Sequence, residues 1–200
     1  SDVCSSDLFT AIIMLTPLVV TLLAAVFLKE SVDLRRWLLV LGGFAGALLV
    51  IQPTGEAIGW AVGIPLAMVL VYALFQILTS RMARTEDAMT LHFYTGWTGA
   101  LGISLALPWI WQTVEDWQTL GLLGLAGLFG TVGHFILIQA FKRAPAATLA
   151  PYLYTQIGFA LLAGWLVFDH VPGAMELWGI ALITACGATL AWLAARAARP

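Results

Sequence analysis

Charged side chains are scarce in this chain. Lys and Arg number 9 and Asp and Glu number 11 among 200 residues, so charged residues make up only 10% of the sequence. A soluble domain carries about 25%, and so few charges cannot solvate a globular surface of this size. Hydrophobic residues account for 61%. The composition therefore argues against a soluble enzyme or binding domain and indicates a membrane protein.

Cysteine is also scarce, and the residues that bind metals are not clustered. The two cysteines are Cys4 and Cys186, too few for a disulfide framework, and no group has metal-ligand spacing. An integral membrane enzyme would need a nucleophile, a metal cluster or a carboxylate pair near an interface. Glu115-Asp116 is most simply a solvated loop. We therefore predict no enzyme activity, no cofactor and no metal, and the lack of a basic cluster argues against a nucleic-acid partner.

Long apolar runs dominate the rest of the chain. Several approach the roughly 20 residues that span a hydrocarbon core. They are apolar on every face, which excludes the alternating strands of a membrane β-barrel. We predict an all-α polytopic membrane protein with seven transmembrane helices, over Phe9–Leu28, Trp37–Ile51, Ala57–Leu78, Met89–Trp111, Leu120–Phe141, Ala146–Phe168 and Leu177–Ala195.

Every base of the chain falls in alternate loops or at the C-terminus. The loops that carry bases hold Lys29, Arg35, Arg36, Arg81, Arg84, Lys142 and Arg143, and the tail 196–200 holds Arg196 and Arg199. The remaining loops carry only acids, at Glu56, Glu115, Asp116, Asp169 and Glu176. The positive-inside rule then predicts a multi-pass protein of the cytoplasmic (inner) membrane, with the base-carrying loops and the C-terminus in the cytoplasm.

The first eight residues do not fit the rest of the sequence. Ser1–Leu8 has neither the basic start nor the apolar core of a signal peptide. It matches the in-frame translation of a common short-read sequencing adapter. We interpret residues 1–8 as a non-native leader and expect the native sequence to begin, part-way into a longer chain, at about Phe9. A genuine polar leader is the alternative.

The chain contains an internal repeat. Phe9–Ile51 and Ala146–Ala195 each run as a helix, a short charged loop, a Trp and a Gly-rich helix. The charge rule places the two loops on opposite sides of the membrane, as in inverted-repeat transporters. If the repeat has five helices, residues 57–195 form a complete second repeat. Residues 9–51 are then the last two helices of a first repeat, and this chain is an N-terminally truncated fragment.

Several stretches resemble drug/metabolite transporters of the EamA type. They are Thr16-Pro17-Leu18 leading to Leu28-Lys29-Glu30, then Tyr72–Thr79, Gly130–His134, Ala140–Ala146, Ala150–Tyr154 and Gly164–Phe168. Each stretch is weak evidence by itself, but their order and spacing are fairly specific. Two departures from the family pattern are the absence of three helices and His170, which stands where an acidic residue is usual.

The resemblance implies a ten-helix secondary carrier with two inverted five-helix repeats around a central cavity. Such a protein would move a small organic metabolite or drug across the cytoplasmic membrane by alternating access. Its partners would be a small-molecule solute and the lipid bilayer, with a homodimer left open. The alternatives are a non-transporting membrane assembly subunit and, with less support, an integral membrane enzyme. The substrate, the direction of transport and the coupling ion cannot be deduced from the sequence.

Three polar stripes mark the faces that could line a cavity. The first is Tyr72, Gln76, Thr79 and Ser80, the second Gly127, Thr131 and His134, and the third Thr148, Tyr152, Thr155 and Gln156. Lipid cannot satisfy such groups, although helix–helix hydrogen bonds of about 0.6 kcal/mol are the simpler alternative for any one of them. We predict substrate-binding positions at Tyr72, Gln76, His134, Tyr152, Thr155 and Gln156.

The histidines and glycines of the spans have structural alternatives. No Asp, Glu, Lys or Arg lies near the middle of a span, so His134 is the one ionisable group placed deep in a helix. It could carry a proton, but a neutral, hydrogen-bonded His is the preferred interpretation, and His92 is expected at a span end. Gly42 and Gly46 have the spacing that lets helices approach closely. Packing is also the expected role of Gly121, Gly124, Gly127 and Gly130.

Overall fold

The computed structural model describes residues 10, 12–52, 62–111, 113–114, 116–168 and 173–197. The leader at residues 1–8, Glu56, Glu115, Asp169, His170 and Arg199 lie outside this part of the chain. The helices, in chain order, are α1 (Thr16–Phe27), α2 (Leu34–Ile51), α3 (Gly63–Met82), α4 (Ala88–Ile110), α5 (Trp117–Arg143), α6 (Ala146–Leu149), α7 (Thr155–Phe168) and α8 (Ala174–Ala197). A 3-10 segment, Ala150–Tyr154, joins α6 to α7, and we call this continuous stretch the α6–α7 rod.

The all-helical architecture predicted from the apolar runs is confirmed. With the α6–α7 rod counted as one, the described residues form seven helices and no strand. Five of them are long and apolar enough to cross a membrane: α2, α3, α5, the α6–α7 rod and α8. The twelve residues of α1 are apolar but short. α4 carries polar side chains, including Thr90 and Thr98, and is not among the five.

Proline shortens α1. The sequence predicts one span over Phe9–Leu28, but the helix is interrupted at Met14 and Leu15, just before Pro17. Proline has no N–H to donate to the carbonyl four residues earlier. That carbonyl belongs to Ile13, and it accepts a hydrogen bond from the Thr16 hydroxyl at 2.6 Å instead. Pro17 therefore ends the ladder of backbone hydrogen bonds, and the Thr16 hydroxyl satisfies the Ile13 carbonyl that Pro17 leaves without a backbone donor.

The ends of the helices carry the charges that a helix dipole favours. Aspartates 33, 87 and 116 are the N-caps of α2, α4 and α5 and accept hydrogen bonds from first-turn N–H groups. Bases occupy the last turns of three helices, at Arg81, Lys142, Arg143 and Arg196. A cap satisfies N–H groups that have no partner within the helix, and a base stabilises the C-terminal end of the dipole.

The chain divides into two compact units, Ser1–Ile77 with Pro145–Pro200, and Leu78–Ala144. The first unit is organised by a seam between α2 and α8. A Cβ atom added at Gly46 would lie 2.8 Å from the carbonyl oxygen of Gly179, and one added at Gly179 would lie 2.6 Å from that of Gly46. A Cβ at Gly42 would lie 2.7 Å from the Cys186 sulfur. The two helices run antiparallel, and their backbones approach closely where glycines face each other.

Tyr154 fills the space beside this seam. A Cβ at Gly43 would lie 2.5 Å from its ring, so the missing side chain of Gly43 makes room for the aromatic group. Tyr154 is 1% exposed and packs with Met14, Ala47 and Ile183 in the core of the first unit. The 3-10 segment therefore presents a large side chain to the seam at the point where Pro151 tightens the helix.

Glu30 connects two stretches of the first unit that are far apart in sequence. Its carboxylate accepts hydrogen bonds from the backbone N–H of Ala146 at 3.2 Å and of Ala147 at 3.0 Å. These are orphan donors of the first turn of α6. Lys29, with φ 53°, turns the chain after α1 and lets the Glu30 N–H bond the carbonyl of Ala24. The α1–α2 turn therefore caps the α6–α7 rod.

The second unit contains a long helical hairpin of α4 and α5. Large apolar side chains cover its surface, and three of the most exposed are Leu105 at 76%, Trp109 at 82% and Trp117 at 83%. Trp109 and Trp117 flank the turn between the helices, where aromatic residues commonly lie at a membrane interface. Such a surface is incompatible with water and matches a hydrocarbon environment, so the hairpin belongs to a multi-pass membrane protein.

Candidate functional site

The sequence candidates on α3 occupy neighbouring turns of one face. Gln76 is 2% exposed and Tyr72 is 45% exposed, and their side chains interact. The amide nitrogen of Gln76 is buried without a hydrogen-bond partner. Thr79 and Ser80, further along the stripe, are buried as well. Tyr72 also borders a shallow apolar groove with Met68 and Phe75.

The candidates on the α6–α7 rod follow the proline. Tyr152 lies in the 3-10 segment and is half-buried, and its carbonyl accepts a hydrogen bond from the Thr155 hydroxyl at 2.6 Å. Thr155 and Gln156 begin α7 and are exposed. Thr155 and Gln156, which follow the 3-10 segment, border two different cavities of the first unit.

The first of these, the polar cavity, contains Gln156. Its volume is about 860 Å³. The polar side chains at its wall are Thr10, Gln52, Gln156 and Glu176, and the apolar ones are Met14, Val50, Ile51, Ile157, Ala160 and Leu161. Two carboxamides, a hydroxyl and a carboxylate can hydrogen-bond a polar solute whose apolar part rests on the aliphatic side chains.

Gln52 reaches the polar cavity through an unusual backbone conformation. It is the C-cap of α2 and adopts the left-handed region, with φ 46° and ψ 58°. Residues other than glycine, Asn and Asp seldom adopt this conformation. Where they do, the position is often part of a functional site. Glu176 is fixed by its own helix, because its carboxylate accepts a 2.7 Å hydrogen bond from the N–H of Gly173 at the start of α8.

The second cavity, the aromatic cavity, lies on another side of α7 and contains Thr155. Its volume is about 470 Å³, and Phe159 and Trp165 contribute its largest side chains. The remaining wall is Gly158, Leu161, Leu162, Leu177, Ile180, Ile183 and Thr184. Exposed aromatic faces in an apolar cavity bind planar, weakly polar groups by stacking.

His134 belongs to the second unit. It faces His92 of α4, and the two ring centroids are 5.5 Å apart with an interplanar angle of 35°. Phe135 contacts His92 edge-on, with centroids 5.6 Å apart. His92 is the fifth residue of α4, as expected for a position near the end of a span. The sequence analysis does not predict its contact with His134.

The described candidates therefore lie at three places. Tyr72 and Gln76 are on α3, Tyr152, Thr155 and Gln156 are on the rod, and His134 is on α5. A single cavity lined by all six stays a prediction. Within the described ranges no group of three or more His, Cys, Asp or Glu side chains is placed to hold a metal ion.

Sequence reasoning missed three contributors to these sites. Gln52, which the sequence analysis does not single out, and Glu176, which it assigns to a loop, both line the polar cavity. His92 is expected only at a span end, and its contact with His134 is not predicted. A signal for its pairing exists, because His92 and His134 are equally distant along the chain from Thr113, in the turn between α4 and α5. An antiparallel hairpin brings such residues together.

Known proteins share both the fold and the sequence pattern. Residues 59–192 match the EamA-like transporter family. A riboflavin transporter of Rhizobium johnstonii is 32% identical over 86% of this chain and 57% of its own length. A riboflavin transporter of Vibrio cholerae is 28% identical over 86% and 58%. An S-adenosylmethionine uptake transporter of Rickettsia bellii is 26% identical over 87% and 60%.

A solved crystal structure gives the same result for the fold. It superposes with a TM-score of 0.79 at 20% identity, over 96% of this chain and 69% of the other. This chain spans 57–60% of the length of the three named relatives. The resemblance deduced from the motifs is confirmed by the family match, which covers most of the chain. This protein belongs to the EamA-like transporter family within the drug/metabolite transporters.

Proposed function

We propose that the full-length protein is a secondary carrier that moves a small organic metabolite across the cytoplasmic membrane by alternating access. The proposal is carried by the geometry of the α6–α7 rod. After its proline-tightened segment, Thr155 borders the aromatic cavity and Gln156 borders the polar cavity. Secondary transporters commonly form their binding sites where a membrane helix departs from regular α-helical geometry. The family match supports transport as the activity.

We propose that residues 57–195 are a complete second repeat of five helices and that residues 9–51 are the last two helices of a first repeat of inverted orientation. Aligning Trp37 with Trp178 and Gly46 with Gly187 makes Ile183 the counterpart of Gly42. Gly46 contacts Ile183, and Gly42 contacts Cys186, which lies next to the counterpart of Gly46. The antiparallel direction of the pair supports an axis in the membrane plane.

The orientation in the membrane follows from the bases. We propose that the helix ends carrying Arg81, Lys142, Arg143 and Arg196 are cytoplasmic. Arg196 lies 3.7 Å from the centre of the Trp192 ring, as suits a cation held at an aromatic interface. In a Cys186→Ala background, Thr113→Cys should react with a membrane-impermeant maleimide from outside, and Ala144→Cys should not. The reverse pattern would overturn the proposed orientation.

Riboflavin is the first solute to test. The wall of the polar cavity offers two carboxamides, and that of the aromatic cavity offers Phe159 and Trp165. A neutral planar heterocycle with polar ring edges suits both, and relatives are named riboflavin transporters. S-adenosylmethionine is the second solute, because other relatives carry that name and because the Glu176 carboxylate can attract a cation.

The test is solute counterflow into proteoliposomes that contain the protein expressed from its complete gene. Labelled riboflavin should enter saturably, and excess unlabelled riboflavin inside should accelerate its entry. Liposomes containing an unrelated membrane protein at equal mass control for leakage. Saturable entry of S-adenosylmethionine alone would retain the carrier and replace its solute. No saturable entry of either compound would contradict the proposal as it concerns these solutes.

A further inference from the structure

Two histidines meet in the α4–α5 hairpin, in a part of the molecule that otherwise carries no charge near the middle of its helices. His92 and His134 come from adjacent helices, and their rings are 5.5 Å apart. Both are partly buried, and the Nδ1 atom of His92 is shielded from solvent without a hydrogen-bond partner. Ionisable side chains at membrane depth are costly, and they commonly mark ion or proton pathways.

Apolar side chains lie beside the pair, and Thr95 of α4 and Thr131 of α5 lie one turn from His92 and His134. Charged residues follow at the base-carrying end of the hairpin. Leu91 and Ile138, beside the histidines in sequence, are 6% and 0% exposed, and Phe135 contacts the His92 ring. The other titratable groups on α4 and α5 near this end are Asp87, Tyr94, Lys142 and Arg143, with Arg81, Arg84 and Glu86 before α4.

Asp87 and Lys142 offset each other at that end. Asp87 caps α4, and the positive charge of Lys142 acts on its carboxylate. Two imidazoles at this separation repel each other when both are protonated, so the second proton binds less readily than the first. The geometry favours a pair that alternates between zero and one bound proton.

We propose that His92 and His134 form a shared one-proton site that couples solute movement to a proton gradient. This proposal rests on the proposed transport function, and it names the coupling ion. In one state an imidazole nitrogen takes a proton from water at the base-carrying end, forming an N–H bond. In the other state that bond breaks and the proton passes to water on the opposite side. No oxidant, reductant or other reactant is needed.

The position of the pair suits proton exchange with the cytoplasm. His92 is in the second turn of α4, and His134 lies nine residues before the end of α5 at Arg143, or about 14 Å at the helical rise. This distance is short compared with a bilayer core of about 30 Å.

The proton site is tested by histidine-selective ¹⁵N NMR of the full-length protein in nanodiscs. The chain carries three histidines, so His170→Asn is the matched control. On acidification the pair should take up its first proton. His92→Asn should change the titration of His134, and His134→Asn that of His92. His170→Asn should alter neither. Independent titration of His92 and His134 would overturn the shared site.

Coupling is tested separately by riboflavin accumulation in proteoliposomes with and without an imposed pH gradient. In the wild type the gradient should raise accumulation several-fold, and it should lose this effect in His92→Asn and His92→Gln. His170→Asn should respond like the wild type. A gradient response that survives in both His92 variants would overturn the coupling role. Absence of all wild-type riboflavin flux would contradict the proposed riboflavin activity, while the NMR result would still decide the proton site.

Discussion

The α2–α8 pair and the α4–α5 pair are built from similar sequences but packed in different ways. All four helices have 18 or more residues and contain glycine. In the first pair, a Cβ added at Gly46 or Gly179 would lie within 3 Å of the opposite backbone. In the second pair, a Cβ at Gly124 would have nothing within 4 Å, and the same holds for Gly96, Gly99, Gly102, Gly121, Gly127, Gly130 and Gly133.

The comparison shows what glycine spacing can and cannot predict. Gly42 and Gly46 have a partner helix with small residues at the matching positions, and the expected close approach is confirmed there. The regular series from Gly121 to Gly130 has no such partner in the part of the chain that the structure describes. The packing role expected for those glycines is therefore not found in the α4–α5 pair. Glycine spacing indicates that another helix can approach closely. Whether it does depends on small residues at the matching positions of the partner helix.

The largest difference between the two helix pairs is expected when the same large side chain is placed on both glycine surfaces. Gly46→Leu would drive its side chain into the carbonyl of Gly179 and into Ile183. Overpacking costs about 1–3 kcal/mol even where side chains can move, and backbone yields less readily. We expect loss of monodisperse protein or a large fall in Tm in detergent. Gly124→Leu, which enters open space, should behave like the wild type.

Equal loss in the two leucine variants would mean that glycine content, rather than the seam, sets stability. Size-exclusion profiles and Tm values of the two proteins, purified in parallel, decide between these outcomes. A Gly46→Ala variant refines the test. Its single methyl group still meets the Gly179 carbonyl oxygen at 2.8 Å, so a smaller loss in the same direction is expected.

Removing the connection made by Glu30 should have an intermediate effect. Glu30→Gln keeps the size of the side chain, but its single amide oxygen can accept from only one of the N–H groups of Ala146 and Ala147, and its NH2 group meets the other donor. Hydrogen bonds to charged groups contribute about 1.5–3 kcal/mol against about 1 for neutral ones. We expect a moderate fall in Tm and faster hydrogen exchange at the start of α6. Glu86→Gln, in a turn of the second unit, is the control.

The smallest expected effect concerns the acid sensitivity of the α4–α5 pair. Hydrogen bonds donated by the Thr119 N–H and hydroxyl hold the pKa of the Asp116 carboxyl below its usual value of 3.8. A folded-state pKa below the unfolded value means that this cap stabilises α5 at neutral pH and that the benefit is lost as the pH falls through the depressed pKa. Asp116→Asn should remove this pH dependence.

Hydrogen exchange of the first turn of α5 measures this local effect. The wild type and Asp116→Asn should differ at neutral pH and converge in acid. Asp33, which caps α2 through the N–H of Arg36, provides the corresponding position in the first unit. An unchanged difference between wild type and Asp116→Asn across the whole pH range would show that the carboxylate charge is not what stabilises the turn.

Much of the fold could be predicted from the sequence because apolar runs locate membrane helices directly. The predicted Met89–Trp111 corresponds to Ala88–Ile110, and Leu177–Ala195 to Ala174–Ala197. Breaks within the runs were harder to predict. Both coincide with prolines, at Pro17 and Pro151, but the exact outcome depends on which neighbouring groups satisfy the freed carbonyls.

The candidate sites were less accessible to prediction because they depend on contacts between distant residues. Glu30 and Ala146 lie far apart in the chain, and a repeat pattern alone does not show that one caps the other. The stripe on the α6–α7 rod was predicted from helical spacing, but its division between two cavities arises from α2, α7 and α8 together. The contact between His92 and His134 could have been predicted, because the position of the α4–α5 turn alone determines which residues of the hairpin lie opposite each other.

The most direct test of the account is riboflavin counterflow by Gln156→Leu compared with Gln118→Leu, in the full-length protein at matched density in proteoliposomes. Gln156 lines the polar cavity of the rod, whereas Gln118 is exposed in the first turn of α5. Loss of one neutral hydrogen bond should raise KM by about threefold to tenfold in Gln156→Leu. Gln118→Leu should match the wild type. Identical kinetics in all three proteins would contradict a solute site on the α6–α7 rod.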